Sequence, residues 1–224
     1  NQRHAEYRQR DPGLQARMSS FRTAAGMMKL APQVLDVSGE TRSTLEQYGV
    51  AAGDRQSMAW QMLAARRLVE RGVRVVEVVH TGSGANWDSH GDMQQHRARA
   101  GELDRPLAAL IADLKQRGLL EDTLVVWGGE FGRTPVSENG NGRDHNHHGF
   151  SMWMAGGGVR GGMPYGETDD FGFKAVSDKV HVHDVHATML HLLGIDHTQL
   201  TYRYAGRDFR LTDVAGNVIR EILA

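Results

Sequence analysis

Between Asp88 and His148, short clusters bring together residues of the types that do metal and acid–base chemistry, with Asp88, His90, Glu130, Arg133, Asp144, His145 and His148 as the candidates. Carboxylates and imidazoles are donors that a hard or borderline divalent cation takes. They fall in three short clusters. In Trp87-Asp88-Ser89-His90 the acid and the histidine are two apart. On extended backbone such residues point the same way and reach one ion; the competing reading is an Asx-type turn with a surface histidine. In Gly128-Gly129-Glu130 the glycines let the chain turn sharply and approach a ligand. Arg133 follows, and a guanidinium beside a metal-bound carboxylate suits an anionic substrate, although an ion pair to Glu130 or Asp144 serves it equally. The run Asp144-His145-Asn146-His147-His148 is the densest. Neighbouring side chains diverge, so one or two bind directly, His145 first and His148 second, while the rest support ligands or carry protons.

A second histidine group, His181, His183, His186 and His191, reads as structural. His186 and His191 are five apart and share no helix face, and Asp184 reads as an N-cap.

The elements that must position these clusters follow from hydrophobic patterning. Val73 to Val79, Leu124 to Trp127 and Phe150 to Ala155 are apolar runs of strand type. From Met93 to Arg117 the spacing of Leu103, Leu107, Leu110, Ile111 and Leu114 predicts a helix that Gly118 ends. Strand, helix, strand implies a parallel pair with a right-handed crossover, with ligands gathered at the strand ends. The patterning therefore predicts an α/β fold with parallel strands. A helix from Ser57 to Glu70 carries the stripe Met58, Met62, Ala65 and Val69, with Arg66, Arg67 and Glu70 off it. Residues 1–55 read as a helical flank, patterned by Met18, Phe21, Ala25 and Met28, broken at Ala31-Pro32 and followed by a weaker helix to Tyr48. Residues 56–224 read as the α/β domain, with a helix from Val185 to Leu193 and a short one near Val218 to Leu223.

Composition narrows the function. The 224 residues carry a net charge of -1, which gives no bulk attraction to nucleic acid or an anionic membrane. The absence of cysteine removes disulfides, thiolate zinc sites and a cysteine nucleophile. No apolar run is long enough for a transmembrane helix.

Four separated motifs resemble one family. Val125-Val126-Trp127-Gly128-Gly129-Glu130-Phe131-Gly132-Arg133-Thr134-Pro135 followed by Gly142-Arg143-Asp144-His145 looks like the sulfatase-like proteins collected as domain of unknown function 1501, within the alkaline phosphatase superfamily. Asn86-Trp87-Asp88-Ser89-His90, the stretch Asp184 to Ile195, and Gly206-Arg207-Asp208 with Leu211-Thr212-Asp213 are similar to further elements of it, so the likeness covers about residues 55–224.

The resemblance implies an alkaline phosphatase-like α/β fold, a doubly wound, mostly parallel sheet flanked by helices, and one or two divalent cations, zinc above all, about 4 Å apart where there are two. It implies Asp88, His90 and His145 on one cation and Glu130 at the carboxylate position of the other. Glu130-Phe131 stands where superfamily members commonly have Asp-His, which weakens the second site. The nucleophile and the remaining metal carboxylate are expected on a strand upstream, making this stretch the C-terminal half of a longer, periplasmic or secreted protein. By itself it is expected to turn over esters little and to self-associate through an exposed sheet edge. The implied function is a metal-dependent hydrolase of phosphate or sulfate esters on small molecules or glycans. A non-catalytic metal-binding or scaffold domain is the alternative, and a phosphopentomutase-like enzyme a third reading.

Overall fold

Capping side chains start the helices of the first of two units, Asn1–Val78 and Val79–Ala224. The computed structural model describes residues 11–80, 87–137 and 140–224. Asp11 accepts from the Leu14 amide at 3.1 Å and Pro12 opens α1, Pro12–Leu35. Thr41 caps α2, Arg42–Tyr48, which Gly49 ends at φ 81°. Ser57 caps α3, Met58–Glu70, accepting from Trp60 at 3.1 Å. A 3-10 turn, Val37–Gly39, joins the first two helices. The predicted break at Ala31-Pro32 does not occur. α1 continues to Leu35, because the missing proline amide removes one ladder bond while the Pro32 carbonyl still accepts from Asp36 at 3.1 Å.

The stripe on α3 is buried at Met58, Met62 and Ala65, beside Leu63, Val34 and Tyr48. Arg66, expected off the stripe, is instead only 2 % exposed. It is accommodated because carboxylates meet it: its Nη2 lies 2.8 Å from Glu40 and its Nη1 2.5 Å from Glu70. Arg67 also pairs with Glu40, and donates to the carbonyls of Val34 at 2.7 Å and Gln33 at 2.9 Å. Arg67 thus ties α3 to the end of α1, whose last carbonyls lack helical partners, while the Glu40 carboxylate holds both arginines.

The second unit contains α4, Gln95–Gln116; β1, Val125–Trp127; β2, Gly132–Arg133; β3, His145–Asn146; and β4, Trp153–Ala155. After these come β5, Glu167–Thr168; β6, Ala175–Ser177; α5, Val182–Leu192; β7, Thr201–Tyr204; β8, Arg207–Arg210; and a 3-10 turn, Arg220–Ile222. α4 buries Leu103, Leu110 and Leu114 as its spacing predicts, with Leu107 half-buried. α5 starts three residues before the expected Val185. His181 is the N-cap and Asp184 closes a capping box from inside the helix. Thr188 is fully buried on α5 and bonds the Ile219 amide at 3.0 Å; buried His197 bonds Thr212 at 2.8 Å.

The doubly wound parallel sheet is not present among the described residues. The strands form four two-stranded antiparallel ladders: β1 with β4, β2 with β3, β5 with β6, and β7 with β8. Val73 to Val79 joins no ladder, and Val75 is 77 % exposed. β-branched residues favour extended backbone, but a strand exists only where a neighbour takes its N–H and C=O groups. Without that first strand no parallel crossover forms, and β1 pairs instead, antiparallel, with β4.

The Glu40 pairing gives a pH-dependent stability. Burial raises the Glu40 pKa, and hydrogen bonds from Arg66 and Arg67 outweigh it and hold the carboxyl below its ordinary 4.5. A depressed folded pKa stabilises above the unfolded value and is lost as pH falls through the folded one. Glu40→Gln should cost about 3 kcal/mol at neutral pH, as for a broken buried pair. The gap to the parent should close as the pH falls well below 4.5. Urea unfolding followed by helical circular dichroism across that range checks both.

Candidate metal centre

Three short backbone segments lie side by side in the second unit. β2 and β3 pair so that Arg133 stands directly opposite His145 and Gly132 opposite Asn146. Thr134 extends the ladder, its amide donating to the Asp144 carbonyl at 2.9 Å, while its Oγ1 accepts from the Asp144 amide at 3.1 Å. On the other side residues 88–93 run along 141–143. Asp92 and Asn141 form a parallel bridge, and the Arg143 amide donates to the Ser89 carbonyl at 3.0 Å. The strap is so close that a Cβ at Gly142 would stand 1.6 Å from the His90 carbonyl oxygen. Only glycine fits there.

This backbone brings Asp88, His90 and His145 together. The Asp88 Oδ1 lies 2.9 Å from His90 Nε2 and 3.0 Å from His145 Nε2, and the two Nε2 atoms are 3.2 Å apart. These three residues form the one group among the described residues whose ligand atoms could hold a metal ion. Around a tetrahedral zinc with bonds of about 2.0–2.1 Å, ligand atoms are roughly 3.3 Å apart. The observed triangle is close to that size, and one carboxylate oxygen with two imidazole nitrogens is a donor set zinc takes.

Asp144 acts through His90. Its Oδ1 is 2.9 Å from His90 Nδ1. With the Nδ1 proton donated to Asp144, His90 Nε2 is the nitrogen turned to the triangle, where it faces the Asp88 oxygen at 2.9 Å; the carboxylate partner on Nδ1 is the arrangement found on metal-binding histidines. The hydrogen bond to Asp144, aided by the charge of Asp88, raises the His90 pKa. Hydrogen bonds from His145 and then Arg133 hold the Asp88 carboxyl at about 2.

Of the other expected residues, Arg133 Nη1 lies 2.5 Å from the Asp88 Oδ1. Glu130 is 67 % exposed, with Oε1 3.9 Å from Arg133 Nη2, and stands outside the triangle. His148 is exposed and packs at a tilt against His147, ring centroids 3.9 Å apart. Phe131 was not singled out by type, yet its ring packs on His145 with centroids 4.3 Å apart and fixes that imidazole from behind. Asn86, which opens one motif, lies outside the described residues. Behind the centre, Trp87 meets Trp127 at 6.5 Å, and Trp127 meets Trp153 at 6.4 Å.

Asp88, His90, Arg133 and His145 come from the motifs in which a family likeness was read, and a family model matches residues 1–223. The chain belongs to the DUF1501 family. That family is described as a protein of unknown function, and its match extends N-terminally beyond the motif-bearing region, through the helices of the first unit. No curated protein and no solved structure matches this DUF1501 chain. Among its described residues no helix is long and apolar enough to cross a membrane.

Zinc binding should separate these residues. His145→Ala should remove stoichiometric zinc, since two donors remain. Asp144→Ala should weaken zinc about 10–100-fold, as loss of a histidine's carboxylate partner does. His148→Ala should leave zinc unchanged. Calorimetric zinc titration ranks the three, and equal loss in all would place the centre elsewhere. Gly142→Ala should abolish zinc binding while near-native helical dichroism remains, because His90 must move away from His145 when the strap is pushed back.

Proposed function

We propose that this DUF1501 protein is a metal-dependent hydrolase of phosphate or sulfate esters, with its cation held by Asp88, His90 and His145. The observation that carries the reading is the shared Asp88 oxygen: two imidazole nitrogens and a guanidinium converge on it. A divalent cation bound there would supply Lewis acidity toward an ester oxygen and lower the pKa of water. The chain's own groups have distinct tasks. His90 is oriented by Asp144 and His145 is packed against Phe131, so both Nε2 atoms already face the Asp88 oxygen and a cation there would take the place of the protons they donate to it. Arg133 offers a planar fork of donors matched to nonbridging ester oxygens as negative charge grows on them. The motif likeness to sulfatase-like proteins supports the same substrate chemistry.

A non-catalytic metal-binding domain is the second reading. It is favoured by the hydroxyls next to the centre. Thr134 Oγ1 donates to the Val136 carbonyl at 2.6 Å, and Ser89 is buried. Neither is poised as a nucleophile.

Hydrolysis of aryl phosphates and aryl sulfates by the full-length protein distinguishes the two. The hydrolase reading expects zinc-dependent turnover that falls at least about 100-fold in Asp88→Asn, the scale of losing a principal electrostatic contact. Zinc binding without turnover of either ester class selects the non-catalytic reading.

A further inference from the structure

Arg133 and the proposed cation claim the same atom. The guanidinium Nη1 is 2.5 Å from the Asp88 Oδ1, the oxygen that also faces both imidazole Nε2 atoms. A carboxylate oxygen that ligates a divalent ion donates its electron density to that ion and attracts a guanidinium less. The ion and the guanidinium also repel one another at such separations. Arg133 has somewhere to go. Its Nη2 is already 3.9 Å from the exposed carboxylate of Glu130, and its Cζ lies over the Phe131 ring, 5.5 Å from the centroid. The fork can therefore rotate off Asp88 along the ring face toward Glu130, and in doing so turn donors outward beside the triangle.

We propose that Arg133 is exchanged between Asp88 and a tetrahedral oxyanion. Cation binding at Asp88, His90 and His145 displaces the guanidinium, which then becomes the second half of a site for a phosphate or sulfate group. The centre takes its cation first and its anion second. This rests on the reading of the triangle as a cation site. It goes further by assigning Arg133 a cost for the cation and a gain for the anion. It also explains why Glu130 sits near Arg133 and outside the triangle: Glu130 is the alternative partner that keeps the displaced guanidinium close.

The test is a pair of calorimetric titrations, zinc alone and then inorganic phosphate or sulfate with and without zinc, on the parent, Arg133→Gln, Arg133→Lys and Asp88→Asn. The parent should bind phosphate at least about tenfold more tightly with zinc, and by linkage zinc more tightly with phosphate. Arg133→Gln should bind zinc about tenfold more tightly than the parent, because a competing charge is gone. It should lose most of the zinc-dependent gain for phosphate. Arg133→Lys keeps the charge but not the fork, so its zinc affinity should stay near the parent's while zinc-dependent phosphate binding weakens. If Arg133→Gln loses its helical dichroism, the lysine variant decides, and unchanged phosphate coupling in it overturns the exchange. Parent zinc binding that Arg133→Gln leaves equal or weakens also overturns the exchange and leaves the cation centre standing. No zinc binding by the parent, with Asp88→Asn indistinguishable from it, overturns both.

Discussion

The centre depends on one backbone approach: residue 142 lying against the carbonyl of His90, with no room for a side chain between them. His90 and Asp88 are on one segment and His145 on another, more than fifty residues along the chain. Neither segment belongs to a large sheet that would hold it rigidly. Their register comes from the Asp92–Asn141 bridge, the Arg143-to-Ser89 hydrogen bond and the contact at Gly142. Once that register is fixed, the short β2–β3 ladder places His145 and Arg133 across from each other and toward Asp88.

Glu40 and Asp88 each gather cationic or imidazole groups, with opposite outcomes. Glu40 is half-buried and uses both oxygens, one for Arg66 and one for Arg67, while Glu70 gives Arg66 a second carboxylate, so the charges are matched. Asp88 is 45 % exposed and receives three nitrogens on a single oxygen. The first arrangement is closed and serves stability. The second concentrates donors beyond what one oxygen can satisfy in good geometry, and water competes for every contact. Crowding of that kind is useful where an outside ligand is to be exchanged, and wasteful where it is not.

The candidate residues were legible in the sequence because their chemistry is carried by type and by short spacing. Asp88 and His90 two apart, and Asp144 beside His145, needed no knowledge of the fold. Spacing did not reveal roles. Asp144 reads as readily as a ligand as it does as the partner of His90, and only the 2.9 Å contact to Nδ1 separates the two. The helices were legible where apolar spacing met a cap, as in α3 and α4. The parallel sheet was not, because a run such as Val73 to Val79 states that it can be extended but not what pairs with it. Arg66 was misplaced for a related reason: burial of a guanidinium depends on Glu40, distant in sequence. The β7–β8 hairpin went unread. Its two-residue turn, Ala205 at φ 49° and Gly206 at φ 82°, is the signal that marks it.

The indoles behind the centre have an optical consequence. Three of the chain's four tryptophans, Trp87, Trp127 and Trp153, form a continuous row with neighbouring centroids 6.5 and 6.4 Å apart. At such distances excitation passes between rings faster than it is emitted. Excitation absorbed at any of the three rings is therefore shared with Trp87, which is covalently next to Asp88. Part of the indole emission thus comes from beside the carboxylate, and the second unit carries its own spectroscopic window on the centre, needing no label.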